Sequence, residues 1–568
     1  MTLRRPTRSS RPSWIAPVML GLLLAAAPTP SAAQVDEARI DRADPSEWLS
    51  YGRDYAETHY SPLARITTDN VGQLREAWSF ELPRGGARPE ATPLVADGVL
   101  YATGPNSYVF AVDARTGRLL WQWDPGIPEE EQGGPSVCCG NVNRGVAVYG
   151  DKVYVGVLDG RLVALNRATG IVEWAVQTTP RDSDYSITQA PRVVAGNVII
   201  GNSGAEYGVR GYVSAYDAET GEMRWRWHTV PGDPALGFEN EAMRVAAETW
   251  TGEWWVVGGG GTVWDGMAYD PRLGLLYIGT GNGAPWNRDE RSPGGGDNLY
   301  LSSIVALRAA TGEYVWHYQT TPGDDWDYTA VQPMMLLDLT IEGRQRAVIV
   351  QAPKNGFFYV IDRITGEFIS ASSFADDVTW AYGIDQETGR PIETPEARYG
   401  MNARGVWLSP GPGGAANWRP FAWNPGTGLV YLPMQNSNSW YDRVTVEYRQ
   451  GQWNTGTARG PDVVRPERPA IRGPAGALKA WDPVANAEVW RMETAGVNGG
   501  ALSTGGNLVF WGTLNRLVAL DARSGQQLWE TPIGDQPATP MTYELDGRQY
   551  VSILAGNSPP RLQTFMLP

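Results

Sequence analysis

The chain has 568 residues and a formal net charge of −15 at pH 7, with three histidines and two cysteines. An acidic chain without a basic run is a poor candidate for nucleic-acid binding. The small number of histidines argues against a histidine-rich metal site and against a histidine-based catalytic triad.

The first 33 residues have the pattern of a secretory signal peptide. Four arginines precede an apolar run over residues 14–27, and a stretch of small residues follows. This run is short for a bilayer span and is interrupted by Pro17. We therefore expect a cleaved signal peptide over 1–33, a periplasmic location and no stable membrane insertion; an uncleaved membrane anchor is the alternative. Export also permits disulfide bonds.

A repeat follows along the rest of the chain. It has a small residue, Asp or Asn two positions later, Gly six positions later and Trp ten positions later, as in "AVDARTGRLLWQW". Arg308, Ser370 and Asn486 are departures from this template. Each copy predicts a hairpin, because apolar residues alternate on both sides of a turn in which Gly can adopt a positive φ. The copies begin at residues 111, 164, 215, 306, 360, 480 and 519.

Copies about 40 to 55 residues apart indicate radially arranged four-stranded blades. Wider gaps leave room for blades with a decayed motif, so we predict an all-β, eight-bladed propeller of antiparallel blades in a single domain, 34–568. The repeated tryptophans would dock one blade on the next. The stretch around Trp78 predicts an outer strand that completes the last blade. We expect the polar, proline-rich segment 436–470 to form a long surface loop over the central mouth.

The two cysteines, Cys138 and Cys139, are adjacent. Neighbouring Cα atoms lie about 3.8 Å apart, closer than the roughly 4.4–6.8 Å of ordinary disulfides, so a bond between them would close a strained ring. Two buried free thiols are the alternative. In an exported chain without other cysteines we favour the ring, which would be a flat, rigid surface against which a planar group can rest.

The adjacent cysteines are followed in order by "GAEYGVRG" and "DDWDY". Together these motifs resemble the quinoprotein alcohol dehydrogenases that use pyrroloquinoline quinone (PQQ), the methanol/ethanol dehydrogenase family. The resemblance extends from Trp48 to the C-terminus. It implies an enzyme that oxidises a small or medium-sized alcohol to an aldehyde or ketone by hydride transfer to metal-bound PQQ.

The resemblance also implies the cofactor contacts. The quinone would lie between the Cys138–Cys139 disulfide and Trp264, with Arg144 and Lys354 as positive contacts. For Ser203 and Thr262 taken alone, a loop hydrogen bond is the alternative role. Further residues that match family contacts are Glu90, Thr188, Ser203, Gly204, Ala205, Thr262 and Asn417.

Three oxygen ligands match the metal site of the family: Glu206, Asn282 and Asp327. Two carboxylates and an amide oxygen suit calcium. Asp327 also matches the catalytic base, and Asp324 and Asp325 are the neighbouring acids that could be mistaken for it. Relatives that use lanthanides have a further acid at the position of Thr329, so calcium is favoured.

Val497 stands where many relatives have a tryptophan in the cofactor pocket. No cysteine remains for the C-x-x-C-H motif that attaches haem, so we expect electrons to pass to a separate cytochrome c. Two other functions are compatible with the repeats: a non-catalytic scaffold and a carbohydrate-binding propeller. Neither needs the acid cluster or the adjacent cysteines.

Overall fold

The computed structural model describes residues 34–83, 88–127, 137, 139–181, 183–400, 405–458, 463–496, 498–556 and 559–568. The predicted signal peptide lies outside these residues. Eight sheets of at least four strands follow one another around a ring, and they confirm the predicted eight-bladed β-propeller. Among the described residues, no helix has both the length and the apolar character that a membrane crossing requires.

The first four blades contain the strands Leu94–Ala96, Val99–Thr103, Val109–Asp113 and Leu119–Trp123 (blade 1); Ala147–Tyr149, Lys152–Gly156, Arg161–Asn166 and Val172–Gln177 (blade 2); Arg192–Val194, Asn197–Gly201, Tyr212–Asp217 and Met223–His228 (blade 3); and Met267–Asp270, Leu275–Gly279, Ser303–Arg308 and Tyr314–Gln319 (blade 4).

The other four contain Met334–Ile341, Arg344–Gln351, Phe357–Asp362 and Phe368–Ser373 (blade 5); Ala422–Asn424, Leu429–Gln435, Gly476–Asp482 and Ala487–Thr494 (blade 6); Asn498–Thr504, Leu508–Thr513, Arg516–Asp521 and Gln527–Pro532, with Tyr60–Ser61 added in parallel (blade 7); and Met541–Leu545, Arg548–Ala555, Arg561–Met566 and Arg75–Glu81 (blade 8).

Short elements lie in the loops between these strands. Two-stranded sheets pair Gly259–Gly260 with Gly283–Ala284, Ala381–Ile384 with Pro391–Glu393, and Val406–Leu408 with Ser439–Tyr441. The helices are Glu37–Arg42, Glu241–Ala247 and Arg288–Arg291, with 3₁₀ turns at Val71–Gln73, Pro105–Ser107, Ala205–Tyr207, Pro234–Leu236 and Trp254–Val257.

The ring is closed by the N-terminal strand Arg75–Glu81. It pairs antiparallel with Arg561–Met566 as the outer strand of blade 8, as the sequence predicts. An early strand and the last strand are therefore held in one sheet, which closes the ring.

At six of the eight blade interfaces, a tryptophan packs on the turn glycine of the next blade. Trp78 of blade 8 lies so close to Gly117 of blade 1 that a Cβ atom added there would be 2.5 Å from the indole ring. The Trp78 Nε1–H also donates to the carbonyl of Ala114 in the same turn, at 3.2 Å. These contacts explain the template, because Gly117 has a φ of 72° and any side chain would displace the ring. The same docking joins Trp121 to Gly170, Trp174 to Gly221, Trp225 to Gly312, Trp316 to Gly366 and Trp490 to Gly525.

Two departures from the repeat meet at one interface. Blade 5 has Ser370 in place of the tryptophan, and blade 6 has Asn486 in place of the glycine. The Asn486 Nδ2–H donates to Ser370 Oγ at 3.0 Å, and its Oδ1 accepts from Trp481 Nε1 at 2.9 Å. A hydrogen bond between Asn486 and Ser370 thus replaces the packing of tryptophan on glycine at this interface.

We expect Trp225→Ala to lower the free energy of unfolding by about 3–5 kcal/mol, because the side chain is buried and its removal leaves a cavity between two blades. Chemical denaturation would measure the change. Trp453→Ala is the control: this tryptophan is 44% exposed, and we expect a change below about 1 kcal/mol. Equal losses in the two variants would contradict the docking role.

Candidate functional site

The predicted site residues emerge from only two kinds of loop. One precedes the first strand of a blade, as for Arg144 and Asp327; the other joins the second and third strands, as for Glu206 and Lys354. Because the strands alternate in direction, both kinds of loop lie at the same end of the ring. The turns that carry the docking glycines lie at the opposite end.

These loops enclose a cavity of about 270 Å³. Glu90 and Ala205 are buried next to it without lining it, and Cys138 lies outside the described residues. The predicted residues that line the cavity are Cys139, Arg144, Thr188, Ser203, Gly204, Glu206, Thr262, Trp264, Asn282, Asp327, Lys354 and Asn417.

Glycines bring the backbone close to the cavity. Gly204 has a φ of 110°, and a Cβ there would lie 2.4 Å from the carbonyl oxygen of Asp184. The 3₁₀ turn Ala205–Tyr207 follows and carries Glu206 into the cavity. The glycine run 258–261 has a positive φ at each residue, which lets the chain turn sharply before Thr262 and Trp264.

Arg144 is the buried cation on one side of the cavity. Its guanidinium lies 4.9 Å from the centre of the Trp264 ring, donates to Thr188 Oγ1 at 2.7 Å, and pairs with Glu90 at 2.8 Å. Thr188 in turn contacts Ser203 Oγ at 3.0 Å. Burial alone would lower the pKa of Arg144, but the nearby carboxylates raise it above its ordinary value, so the residue stays charged.

Asp265 lies behind Arg144, 3.6 Å from its Nε. Sequence reasoning missed it, although it directly follows Trp264 in the motif "GGTVWD". Neither carboxylate oxygen has a hydrogen-bond partner among the described residues. Burial raises the pKa of Asp265 to about 6, against the opposing effect of Arg144. The negative charge behind Arg144 therefore depends on pH.

Asp327 and Lys354 form an ion pair on the other side, with 2.8 Å between Nζ and Oδ2. Burial raises the pKa of Asp327 well above its usual range; Lys354 opposes this shift and Glu206 adds to it. Asp327 also has a left-handed backbone, with a φ of 67°, which a non-glycine residue adopts at a cost in free energy. Glu206 Oε1 accepts from Asn282 Nδ2 at 3.2 Å, so the three predicted metal ligands line one wall region.

The other acids of "DDWDY" point elsewhere. Asp324 Oδ1 accepts from the backbone N–H groups of Trp326 and Tyr328. Asp325 pairs with Arg398 at 2.9 Å. Asp327 is therefore the member of this motif that lines the cavity.

The segment 436–470 reaches the cavity through its distal part, as expected of a loop over the mouth. The Asn454 N–H donates to the carbonyl of Glu206 at 2.8 Å, the Gly451 N–H donates to Asp184, and Trp453 lines the cavity. The repeat could not predict that these residues lie next to the cavity, because the segment belongs to no blade.

Other lining residues were also missed. Arg88 stands two residues before Glu90 and contacts it at 2.7 Å, and Trp418 follows Asn417 directly. Position next to a matched residue is the signal that could have found both. The missed lining residues are Arg88, Val137, Ser186, Trp286, Pro412, Gly413, Trp418 and Trp453.

Comparisons with known proteins agree with this geometry. The family model "PQQ: Glucose/ethanol/alcohol dehydrogenase, beta-propeller domain" matches residues 48–371 and 384–551. The chain belongs to the PQQ-dependent alcohol dehydrogenases. It is 52% identical over 563 residues to quinohemoprotein alcohol dehydrogenase ADH IIB of Pseudomonas putida, covering 98% of this chain and 79% of the relative.

Two further relatives of this alcohol dehydrogenase are informative. The 1-butanol dehydrogenase (cytochrome c) of Thauera butanivorans is 47% identical and covers 90% of this chain and 74% of the relative. The crystal structure of quinohemoprotein alcohol dehydrogenase from Comamonas testosteroni superposes with a TM-score of 0.89 at 48% identity, covering 94% of this chain and 82% of that one. Membership in an enzyme family overturns the scaffold and carbohydrate-binding alternatives.

The cavity of this alcohol dehydrogenase suits a flat tricarboxylate cofactor. Arg144, Lys354 and Arg88 bring three cations to its lining. Trp418 Nε1, a buried donor on this lining, has no hydrogen-bond partner among the described residues. Cys138 and Val497 lie outside the described residues, so the disulfide and the effect of Val497 stay predictions.

We expect Asp265→Asn to change how stability depends on pH. An unfolded aspartate titrates near 3.9, whereas burial raises the pKa of Asp265 to about 6 in the folded chain. The folded state therefore holds this proton more tightly, and the wild-type protein loses stability as the pH rises from about 4 to 6. The amide of Asp265→Asn does not titrate, so the variant does not share this loss. The free energy of unfolding of the variant minus that of the wild type should therefore rise by up to about 3 kcal/mol between pH 4 and pH 7.

Denaturant unfolding at several pH values checks this result, with Asp535→Asn, at an exposed position, as the control. If the free energies of unfolding of Asp265→Asn and wild type differed by the same amount at every pH, the pKa of Asp265 would not be raised in the folded protein.

Proposed function

We propose that this alcohol dehydrogenase is exported to the periplasm, binds PQQ and Ca²⁺ in the cavity, and passes electrons to a separate cytochrome c. The observation that carries the proposal is that one cavity brings Asp327, Glu206 and Asn282 together with Cys139 and Trp264. The signal-peptide pattern of residues 1–33 supports export. A relative named 1-butanol dehydrogenase (cytochrome c) supports the choice of acceptor.

The cofactor would rest between the Cys138–Cys139 disulfide and Trp264. Cys139 is exposed to the cavity, and the half-buried Trp264 is backed by Arg144. When bound, PQQ supplies the two-electron oxidising centre that accepts hydride from the alcohol. Arg144 and Lys354 would hold its acidic groups and stabilise negative charge as it is reduced.

Glu206, Asn282 and Asp327 would hold the metal. Two carboxylates in a buried region favour a divalent cation with hard oxygen ligands, and the raised pKa of Asp327 reflects the proximity of the Glu206 charge as well as burial. The metal would act as a Lewis acid toward the quinone carbonyl. Thr329 is buried and hydrogen-bonds Gln332, so no third carboxylate is provided there.

Asp327 would accept the proton of the alcohol hydroxyl. Lys354 holds Oδ2 at 2.8 Å and thereby orients the carboxylate. Burial raises the pKa of Asp327 well above its usual range, which makes its ionised form a stronger base than an exposed aspartate. The nearby aromatic rings of Trp286, Trp418 and Trp453 would exclude water from the reacting groups.

We expect the purified chain with PQQ and Ca²⁺ to oxidise primary alcohols with an artificial dye as acceptor and without nicotinamide. Asp327→Asn keeps the shape of the side chain and removes its basicity, so turnover should fall by about 10²–10⁴-fold. Steady-state kinetics at saturating PQQ and Ca²⁺ measures this loss.

Asp324→Asn is the matched control, because an amide oxygen can still accept from the backbone N–H groups of Trp326 and Tyr328. Turnover should stay within about threefold of wild type. If Asp324→Asn were inactive and Asp327→Asn active, the assignment of the base would be wrong; a protein that binds PQQ and oxidises no alcohol would disprove the proposed function.

We expect Ca²⁺ to support higher turnover than La³⁺ at equal metal occupancy, since two carboxylates, Glu206 and Asp327, line the described part of the cavity and balance the charge of a divalent ion. The ratio of turnover with La³⁺ to turnover with Ca²⁺ should rise in Thr329→Asp, which adds a carboxylate at the position where lanthanide-using relatives have a further acid. Metal titration of the apoprotein followed by dye-linked assays measures both ratios. Higher turnover of the wild-type protein with La³⁺ would refute the choice of Ca²⁺.

A further inference from the structure

A second recess of about 360 Å³ adjoins the catalytic cavity. Trp286 and Pro412 line both spaces and form the wall between them. Trp286 is almost fully buried and held in place: its backbone N–H donates to the carbonyl of Thr455 at 2.8 Å, and its Nε1–H lies 3.4 Å from Glu206 Oε1. One face of this side chain therefore belongs to the metal-ligand wall and the other to the recess.

The recess also lies next to the proposed base. Tyr441 lines it, and the Tyr441 hydroxyl donates to the carbonyl of Trp326 at 3.1 Å. Trp326 immediately precedes Asp327 in the chain. The recess therefore begins close to Asp327, on the far side of Trp286 and Pro412.

The recess differs from the catalytic cavity in charge. Two arginines, Arg465 and Arg468, line it, and none of its described lining residues is acidic. The catalytic cavity instead has both signs of charge in its lining: the carboxylates of Glu206 and Asp327, and the cations Arg88, Arg144 and Lys354. A ligand that spans both spaces would meet metal ligands at one end and cations at the other.

Arg468 is positioned without an acidic partner. Its Nε–H donates to Asn438 Oδ1 at 2.5 Å, and its guanidinium lies 6.0 Å from the centre of the Trp407 ring. Within the part of the chain that the structure describes, no carboxylate pairs with Arg468. The guanidinium retains donors that can bind a carboxylate with charge-assisted hydrogen bonds.

The remaining walls suit a carbon chain. Trp407 and Trp440 pack edge to face, with 5.8 Å between their ring centres, and line the recess together with Tyr441. Aromatic walls bury methylene groups favourably, and the arginines lie on the same lining as these rings. The combination matches a molecule with an aliphatic middle and an anionic end.

We propose that this recess binds the distal end of the substrate and selects ω-hydroxycarboxylates, alcohols that carry a carboxylate several carbons from the reacting hydroxyl. The inference rests on the proposed function, because it places the hydroxyl at Asp327. The aromatic walls hold the carbon chain, and Arg468 binds the carboxylate on a lining to which Arg465 adds a second positive charge.

The kinetic test compares ω-hydroxyhexanoate with its methyl ester, which has the same hydroxyl and carbon chain without the charge. In the wild-type holoenzyme, kcat/KM for the acid should exceed that for the ester by about tenfold, the effect of a charge-assisted hydrogen bond in a partly exposed site. In the double variant Arg465→Gln/Arg468→Gln this ratio should fall to about one. The ratio should also fall with rising salt concentration.

Arg449→Gln is the control. Arg449 lies in the same segment, pairs with Glu447 at 2.9 Å and does not line the recess, so its replacement should leave the ratio at the wild-type value. A wild-type ratio near one, or a ratio that the double variant leaves unchanged, would overturn the proposal. Because the measured quantity is a ratio, a general loss of folded enzyme does not imitate the expected result.

A binding measurement separates this inference from the proposed function. Ligand-detected NMR would compare the affinity of hexanoate for the wild-type protein and for the double variant, which requires no turnover. We expect the double variant to bind about tenfold more weakly. Equal affinities would overturn the recess assignment, whereas weaker binding in a protein that oxidises no alcohol would support the recess and refute the proposed function.

Discussion

The packing of a tryptophan ring on the turn glycine of the next blade is the contact on which the rest of the structure depends. It recurs at six of the eight interfaces, including the closure, where Trp78 meets Gly117. Because this contact sets the spacing of neighbouring blades at one end of the ring, the loops at the other end are held at fixed distances. Arg144, Glu206 and Lys354 can therefore face one cavity although they belong to different blades.

The cavity separates two kinds of charge environment. On one side Arg144 is surrounded by Glu90 and Asp265, and the carboxylates keep the guanidinium charged in spite of burial. On the other side the ion pair of Lys354 and Asp327 lies near a second carboxylate, Glu206. Buried charges are stable only when they are paired, so the residues that would contact a cofactor depend on partners outside the cavity. Asp265 is such a partner, and it contacts the cavity only through Arg144.

Trp286 and Pro412 form the boundary between the cavity and the second recess, and Trp286 is held in place by hydrogen bonds. Trp286 contacts Glu206 through its indole N–H and the segment 436–470 through its backbone. That segment belongs to no blade, yet it supplies Trp453 to the cavity and Trp440 to the recess. The blades thus position the reacting groups, and the inserted segment shapes the space available to the rest of a substrate.

The repeat determined the fold. Its spacing and its Gly and Trp positions predicted the blades, the docking contacts and the closing strand around Trp78, because each depends on local turn geometry and on a contact with the adjacent blade. The motifs also predicted most residues of the cavity, because these residues match those of the PQQ-dependent alcohol dehydrogenases. The resemblance singled out Asp327 of "DDWDY", and the tertiary structure gives the reason that the other two acids do not face the cavity: Asp324 accepts from neighbouring backbone N–H groups, and Asp325 pairs with the distant Arg398. Tertiary structure alone decided the pairing of Ser370 with Asn486, the charge of Asp265 and the recess at Arg468, since each arises where segments far apart in the chain come into contact and no repeat relates them.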